Sequence, residues 1–314
     1  MAYPTPGAAA TVAPAKAGPR AGWLAHREAL YGYAFISPWL IGLVAFTAGP
    51  LLAVFYLGFT EYPILSEPTW IGTRNYQRIF TEDRAFLVSL FNTAYYVAIR
   101  VPLHLGLAFV FALLLHRTVR GIGVFRTAIY LPSMIPIVAL SVIWRVLLDP
   151  RAGYVNYFGG LVGLPPINWL TSTDWVKSVI IFISLWQIGI PMIVFLAGLG
   201  AIPDQLYEAA EIDGAGWWRR LQSVTLPMMT PVILYNVIID IINSFQVFAF
   251  AFILTKGGPN DATLFYVLYI YRQAFEFFQM GYASALSTIL FLIVLALTLI
   301  VLRSSRYWVQ YERI

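Results

Sequence analysis

Asn236, Asp240, Asn243 and Gln246 lie three or four residues apart in an otherwise apolar run, a spacing that stacks them along one face of a helix. Such side chains donate and accept hydrogen bonds, and Tyr235, Phe245 and Phe248 beside them offer aromatic faces. The stripe therefore has the chemistry to hold a hydroxyl-rich ligand with apolar ring surfaces. The same residues can also join one membrane helix to another, and for Asn236 and Gln246 both readings stay open. Asp240 points to a cavity, because a carboxylate in a membrane segment is costly unless water or a cation meets it. Arg100 is the second charge within an apolar run and is read as the partner of Asp240 or as a cavity residue in its own right. Arg145, toward the end of its run, can snorkel and reads as an anchor.

Few other chemistries fit the sequence. There is no cysteine, so disulfides, thiolate metal sites and cysteine nucleophiles are excluded. His26, His104 and His116 are scattered without metal-ligand spacing. No glycine-rich loop ends in Gly-Lys-Ser/Thr, so the chain is not expected to bind ATP itself. No HExxH run or pair of intramembrane acids with a nucleophile supports an embedded enzyme, since Asp240 stands alone. Nor do inverted repeats or paired Gly-interrupted helices suggest an ion-driven transporter.

The elements that carry these residues must cross a membrane. The chain is 60% hydrophobic and 11% charged, far below the roughly 25% charge of a soluble domain. Uncharged runs from Ala29 to Thr60, Ser178 to Pro203 and Phe277 to Leu302 each exceed the roughly 20 residues that span a bilayer core. Three further runs are interrupted by Arg100, Arg145 and Asp240. The expectation is an all-α membrane protein of six helices near 33–59, 86–115, 125–148, 176–200, 230–255 and 282–302. Pro132 and Pro136 fall at the start of the third, Pro227 and Pro231 at the start of the fifth, and Pro136 is expected to kink its helix. Eleven Lys and Arg fall on one side of these spans and seven on the other, which predicts that both termini and the 203–227 loop are cytoplasmic. The loops 61–84 and 256–281 then face outward, the first as an ordered cap. Residues 1–22 read as a disordered tail, 23–32 as an interfacial helix, 33–303 as the six-helix domain and 304–314 as a second tail. The net charge of +5 reads as topology and contact with anionic membrane lipid, with no nucleic-acid signature beside it.

The 203–227 loop is the most informative segment. Asp204, Glu208, Glu211, Asp213, Arg219 and Arg220 cannot lie in hydrocarbon cheaply, so the loop sits in water. Pro203 suits a helix start, Asp204 and Glu208 its positive end, and Gly214 a left-handed stop. Leu206, Ala209, Ala210 and Asp213 share a face on which two alanines allow a close approach. Trp217, Leu221 and Val224 are spaced for a second, amphipathic helix able to lie on the membrane surface. A plain solvated connector would also carry such charges.

Glu208-Ala209-Ala210, Asp213-Gly214-Ala215 and Leu226-Pro227 together resemble the EAA motif of permease subunits of binding-protein-dependent ABC importers, in the form typical of the carbohydrate branch. GLGAIPDQLYEAA, LTKGGPNDAT and the run Trp144-Arg145, Asp149-Pro150, Gly153 to Asn156 are similar to further parts of sugar permeases. The resemblance covers most of residues 35–300. It implies a type I importer permease fold in a bacterial or archaeal inner membrane, with the EAA helix docking in a groove of an ATPase subunit. By resemblance, Glu208 makes a charge-assisted contact with the ATPase, Ala209 and Ala210 pack closely, and Gly214 makes the turn. It further implies two ATP-binding subunits holding ATP and Mg, a second related permease, an extracytoplasmic solute-binding protein and a carbohydrate substrate, with no cofactor on this chain. Glycerophosphodiester or sugar-phosphate uptake is the alternative within the family, though it would want several cavity cations where only Arg100 is evident. On this reading Asn243→Ala and Asp240→Ala both change uptake and leave assembly intact.

Overall fold

The computed structural model describes residues 19–116 and 120–310. Residues 1–18 of the expected 1–22 tail, Arg117 in the second loop and Arg313 at the end lie outside them, while 19–22 belong to a helix. The chain divides into two compact units, Met1–Ala53 and Val54–Ile314. In the first, helix α1 (Pro19–Leu43) leads through a π-turn at Val44–Ala48 into α2 (Gly49–Leu57). Its backbone is helical without interruption through 23–32, and Leu30–Leu57 is long and apolar enough to cross a membrane.

The second unit begins at Val54 with the last residues of α2, followed by a two-residue hairpin of β1 (Thr60–Glu61) and β2 (Thr69–Trp70), then α3 (Arg74–Thr81). Asn75 Nδ2 donates to the carbonyls of Gly58 and Thr60 at 3.0 and 2.9 Å, which ties the 61–84 loop to the chain just before it. The long helix α4 (Arg84–Leu115) is capped by Asp83, which accepts from the Phe86 N–H. The other carboxylate oxygen of Asp83 accepts from the hydroxyls of Tyr269 and Tyr282.

Next come α5 (Ile122–Tyr130), a 3₁₀ turn at Leu131–Met134 and α6 (Ile137–Leu147). The third span was expected as one kinked helix; it is a pair bent by 95°. Ile135 and Pro136 are both extended, because the pyrrolidine of Pro136 disfavours the helical region for the residue before it. A short α7 (Tyr154–Leu161) follows, in a loop held by Asn156, which bonds Pro150, Ile167 and Trp169. Asp149 accepts from the backbone N–H groups of Ala152 and Arg151, which hold its carboxyl below the usual range.

The fourth span is also broken, into α8 (Val176–Leu185) and α9 (Gly189–Gly200), bent by 44°. Pro191 cannot donate to Gln187, and Gly189 instead donates to Ser133 Oγ at 2.9 Å. A Cβ at Gly189 would fall 2.7 Å from the Tyr130 Cα, so only glycine permits this approach of α9 to α5.

After α10 (Asp204–Ile212), helical structure runs through α11 (Trp217–Arg220), a π-turn at Leu221–Thr225, α12 (Leu226–Phe245) and α13 (Ala249–Leu254). The amphipathic helix expected at 217–224 is thus the start of the fifth span rather than a separate surface helix. The π-turn carries the chain across Pro227, whose missing N–H falls at the first turn of α12. Finally α14 (Tyr266–Tyr271), a π-turn at Arg272–Glu276 and α15 (Met280–Trp308) complete the chain. Asn92 on α4 donates to the carbonyls of Asp261 and Leu264, tethering the LTKGGPNDAT loop. Thus among the described residues four helices are long and apolar enough to span a membrane, or six if each bent pair counts as one.

Two apolar cores hold the second unit. One gathers Phe86, Ile180, Ile183, Phe265, Tyr266 and Leu286; the other gathers Ala108, Ala112, Met192, Phe195, Leu199 and Met229. Ala108 and Ala112 present a small face that lets α9 approach closely, the usual way membrane helices associate. Gly198 does the same for α12, since a Cβ there would meet Val232 at 2.9 Å and the Met229 sulfur at 3.0 Å.

Candidate functional site: a cavity wall and an exposed loop on one helical segment

Arg100 and His104 sit one turn apart on α4, and Asp240 and Ser244 one turn apart on α12. The two helices bring these side chains together. Arg100 Nη1 donates to Asp240 Oδ1 and to Ser244 Oγ, both at 2.6 Å. His104 Nδ1 lies 3.1 and 3.2 Å from the two oxygens of the same carboxylate. All four residues are buried. The Asp240 carboxylate has the cation it needs, so the sequence expectation of Arg100 as its partner describes the geometry. His104 is what sequence reasoning missed. Its signal was present, four residues after Arg100 and hence on the same helix face, but testing histidines only for metal spacing passed over it.

This cluster borders a cavity of about 460 Å³. All four polar residues of the stripe, Asn236, Asp240, Asn243 and Gln246, line it together with Tyr235 and Arg100. Within that wall the residues differ. Asn236 is buried and donates to the Val232 carbonyl of its own helix at 2.9 Å, whereas Asn243 and Gln246 are exposed. Phe248 also lines the cavity and stacks on Phe252 with centroids 5.2 Å apart. Phe245 does not belong to the wall; it is buried elsewhere. Ser133 from the 3₁₀ turn and Gln187 from the α8–α9 break add further hydrogen-bonding groups, beside Ser184 in the last turn of α8. The two helix breaks therefore supply polar wall that a straight span would not.

At the other end of the segment, α10 stops in a Schellman motif. Ala215 N–H donates to the Ala210 carbonyl at 2.8 Å, and Gly214 N–H to the Glu211 carbonyl at 2.9 Å, the pairing that satisfies orphan carbonyls at a helix end. Gly214 adopts φ +74°, a left-handed conformation that β-carbons resist. Glu208, Ala209 and Asp213 are exposed, while Ala210 and Ala215 are half-buried. Arg220 pairs with Glu211, and the Tyr207 hydroxyl meets Thr225 Oγ1 at 3.1 Å, so α10 is tied back onto the start of the fifth span. Ile212 protrudes, 87% exposed.

A bundle of apolar helices around a largely apolar cavity that carries a polar stripe, with an exposed charged helix tied to the start of its fifth span, has the form of a membrane transport subunit. The chain belongs to the family of binding-protein-dependent transport system inner membrane components, whose profile matches residues 104–310. It is 41% identical to the probable ABC transporter permease protein YesP of Bacillus subtilis, over 91% of this chain and 94% of that one. It is 32% identical to the trehalose/maltose transport system permease protein MalF of Thermococcus litoralis, over 90% and 96%, and 33% identical to the lactose transport system permease protein LacF of Rhizobium radiobacter, over 88% and 94%. The same fold occurs in a solved bacterial alginate ABC transporter in complex with alginate pentasaccharide-bound periplasmic protein. There the TM-score is 0.81 at 23% identity, covering 90% of this chain and 96% of that chain.

Proposed function

We infer that this chain forms half of the pathway of an ATP-driven importer and passes a saccharide delivered by a solute-binding protein. The observation that carries the reading is the single helical segment Trp217–Leu254, which begins beside the exposed EAA helix and ends along the polar cavity wall. A displacement imposed on the loop is thereby delivered to the cavity. Amides, hydroxyls and aromatic rings in that wall suit a sugar, and relatives of this chain are named for trehalose and maltose and for lactose transport. A phosphate-bearing substrate asks for a free cation, whereas Arg100 is engaged by Asp240 at 2.6 Å.

On this reading both termini and α10 face the cytoplasm. Two partner subunits hold ATP and Mg, and Glu208 meets one of them while Ala209 and Ala210 allow its surface close. Asp213, Gly214 and Ala215 fix the turn that aims the helix, and a second related permease completes the pathway. Single cysteines placed in this cysteine-free chain test the orientation, with labelling at Gln205 expected from the cytoplasmic side alone. Glu208→Lys tests the contact. It should leave the protein inserted, weaken ATPase docking and abolish uptake, since an attractive charge becomes repulsive. Normal uptake at normal expression would overturn the assignment.

A further inference from the structure

The two charges that stand out in the apolar sequence are engaged with each other, and beside them His104 keeps an unused hydrogen-bonding position; among the described residues only Tyr76 Oη and Trp144 Nε1 are buried and unpaired in the same way, and neither borders the cavity. An ionised carboxylate only accepts hydrogen bonds, so the His104 ring presents its N–H to Asp240 at Nδ1. That contact fixes the ring, and the opposite corner, Nε2, becomes its working end, as for an imidazole oriented by a carboxylate elsewhere. Nε2 is buried and has no partner among the described residues, while the ring itself borders the cavity. A buried polar atom left unpaired is destabilising, and it calls for a partner in another state of the protein.

We propose that His104 is a substrate contact of the cavity, its Nε2 taking a hydroxyl of the passing saccharide, with Asp240 and Arg100 as the positioning residues that hold the ring. The proposal rests on the saccharide reading above. Because Nε2 is closed to water in this state, the contact forms as α4 and α12 shift around a loaded cavity. The unpaired atom then favours the loaded state over the one described. Asn243, exposed on α12, and Gln246, exposed just after its end, offer amides to neighbouring hydroxyls.

The test uses the complete transporter with its partners in vesicles, its binding protein outside and ATP inside. A pool of neutral and acidic di- to tetrasaccharides is supplied, and the sugar that accumulates, identified by mass spectrometry, becomes the probe. His104→Asn places an amide nitrogen near the Nδ1 position and removes Nε2; His104→Gln reaches the Nε2 position and gives up Nδ1. The expected result is that His104→Asn weakens binding of that sugar to the isolated complex about three- to tenfold, the loss of one hydrogen bond. Complex yield is measured beside it, so that the loss is read per assembled complex. His104→Gln should hold the sugar better than His104→Asn but assemble less well, because Asp240 loses a partner. Unchanged sugar binding by His104→Asn, with His104→Gln alone impaired, would reduce the residue to a brace for Asp240. Release of the second permease from the His104→Asn complex would mean that Nε2 pairs across the subunit interface, and that too overturns the proposal. Accumulation of no saccharide overturns the saccharide reading and the contact with it.

Discussion

Two arginine–carboxylate pairs flank the same helical segment in opposite surroundings. Arg100 and Asp240 meet with side chains only 10% and 8% exposed, whereas Arg220 and Glu211 are 28% and 60% exposed. The groups are chemically alike, yet water decides their worth. Removing one partner from the buried pair strands a charge in a low-dielectric wall, while removing one from the surface pair leaves the other to be hydrated. The buried pair therefore holds α4 against α12, and the surface pair decorates a loop whose form is set by backbone hydrogen bonds at Gly214 and Ala215.

The largest expected effect follows from breaking the buried side of this comparison. Asp240→Ala leaves Arg100 and His104 without their shared carboxylate, at a cost of about 3–5 kcal/mol, so complex yield falls together with uptake. This replaces the expectation drawn from spacing alone, that assembly would be spared. Combining Asp240→Leu with Arg100→Met should restore yield without restoring uptake, because an apolar pair needs no counter-charge. Wild-type yield from Asp240→Ala, measured by purification of the complex, would remove the buried pair from the fold's requirements.

Gly214→Val probes the other side. Valine at φ +74° costs about 1–2 kcal/mol or more for a β-branched residue, and the strain falls on the turn that aims α10. The protein should insert at normal levels yet lose ATPase docking and uptake. Pull-down of the ATPase at wild-type efficiency would show that the turn's geometry is dispensable.

How far the sequence alone reached differs between the two regions for a physical reason. The loop's helix, its start at Pro203 and its stop at Gly214 follow from local rules of capping and dipole, which need no partner. The second span, too, was legible to within two residues at its start, 86–115 against Arg84–Leu115. The 95° and 44° breaks were not. Pro136 announces a disturbance, but its size depends on what packs beside it, and the close approach of Gly189 to Tyr130 is a tertiary fact. The early start of the fifth span at Trp217 was hidden by Pro227, which reads as a boundary unless a π-turn accommodates it. In the cavity, periodicity found the stripe on α12, while His104 escaped because its meaning comes from Asp240, 136 residues away.

Asn243→Ala sharpens the contrast within the wall. Unlike Asp240, Asn243 is exposed and no neighbouring charge depends on it. Its loss should change uptake about three- to tenfold, the range for one ligand hydrogen bond of roughly 0.5–1.5 kcal/mol, with complex yield unchanged. Dissociation of the two permeases in this variant would make Asn243 interhelical glue rather than wall.

The smallest effect belongs to Glu211→Gln, which removes the surface pair's negative charge and keeps its shape. Exposed pairs contribute about 0–1 kcal/mol and are screened by salt. The Glu211 carbonyl still receives the Gly214 N–H, and Ala210 still receives Ala215, because those bonds use the backbone alone. The helix end therefore persists, and Arg220 finds water. Uptake and complex yield should lie close to wild type, and raising the salt concentration should weaken wild type toward the variant. A large loss of ATPase docking, undiminished in high salt, would place Glu211 in direct contact with the partner and make its pairing with Arg220 a state the complex must break.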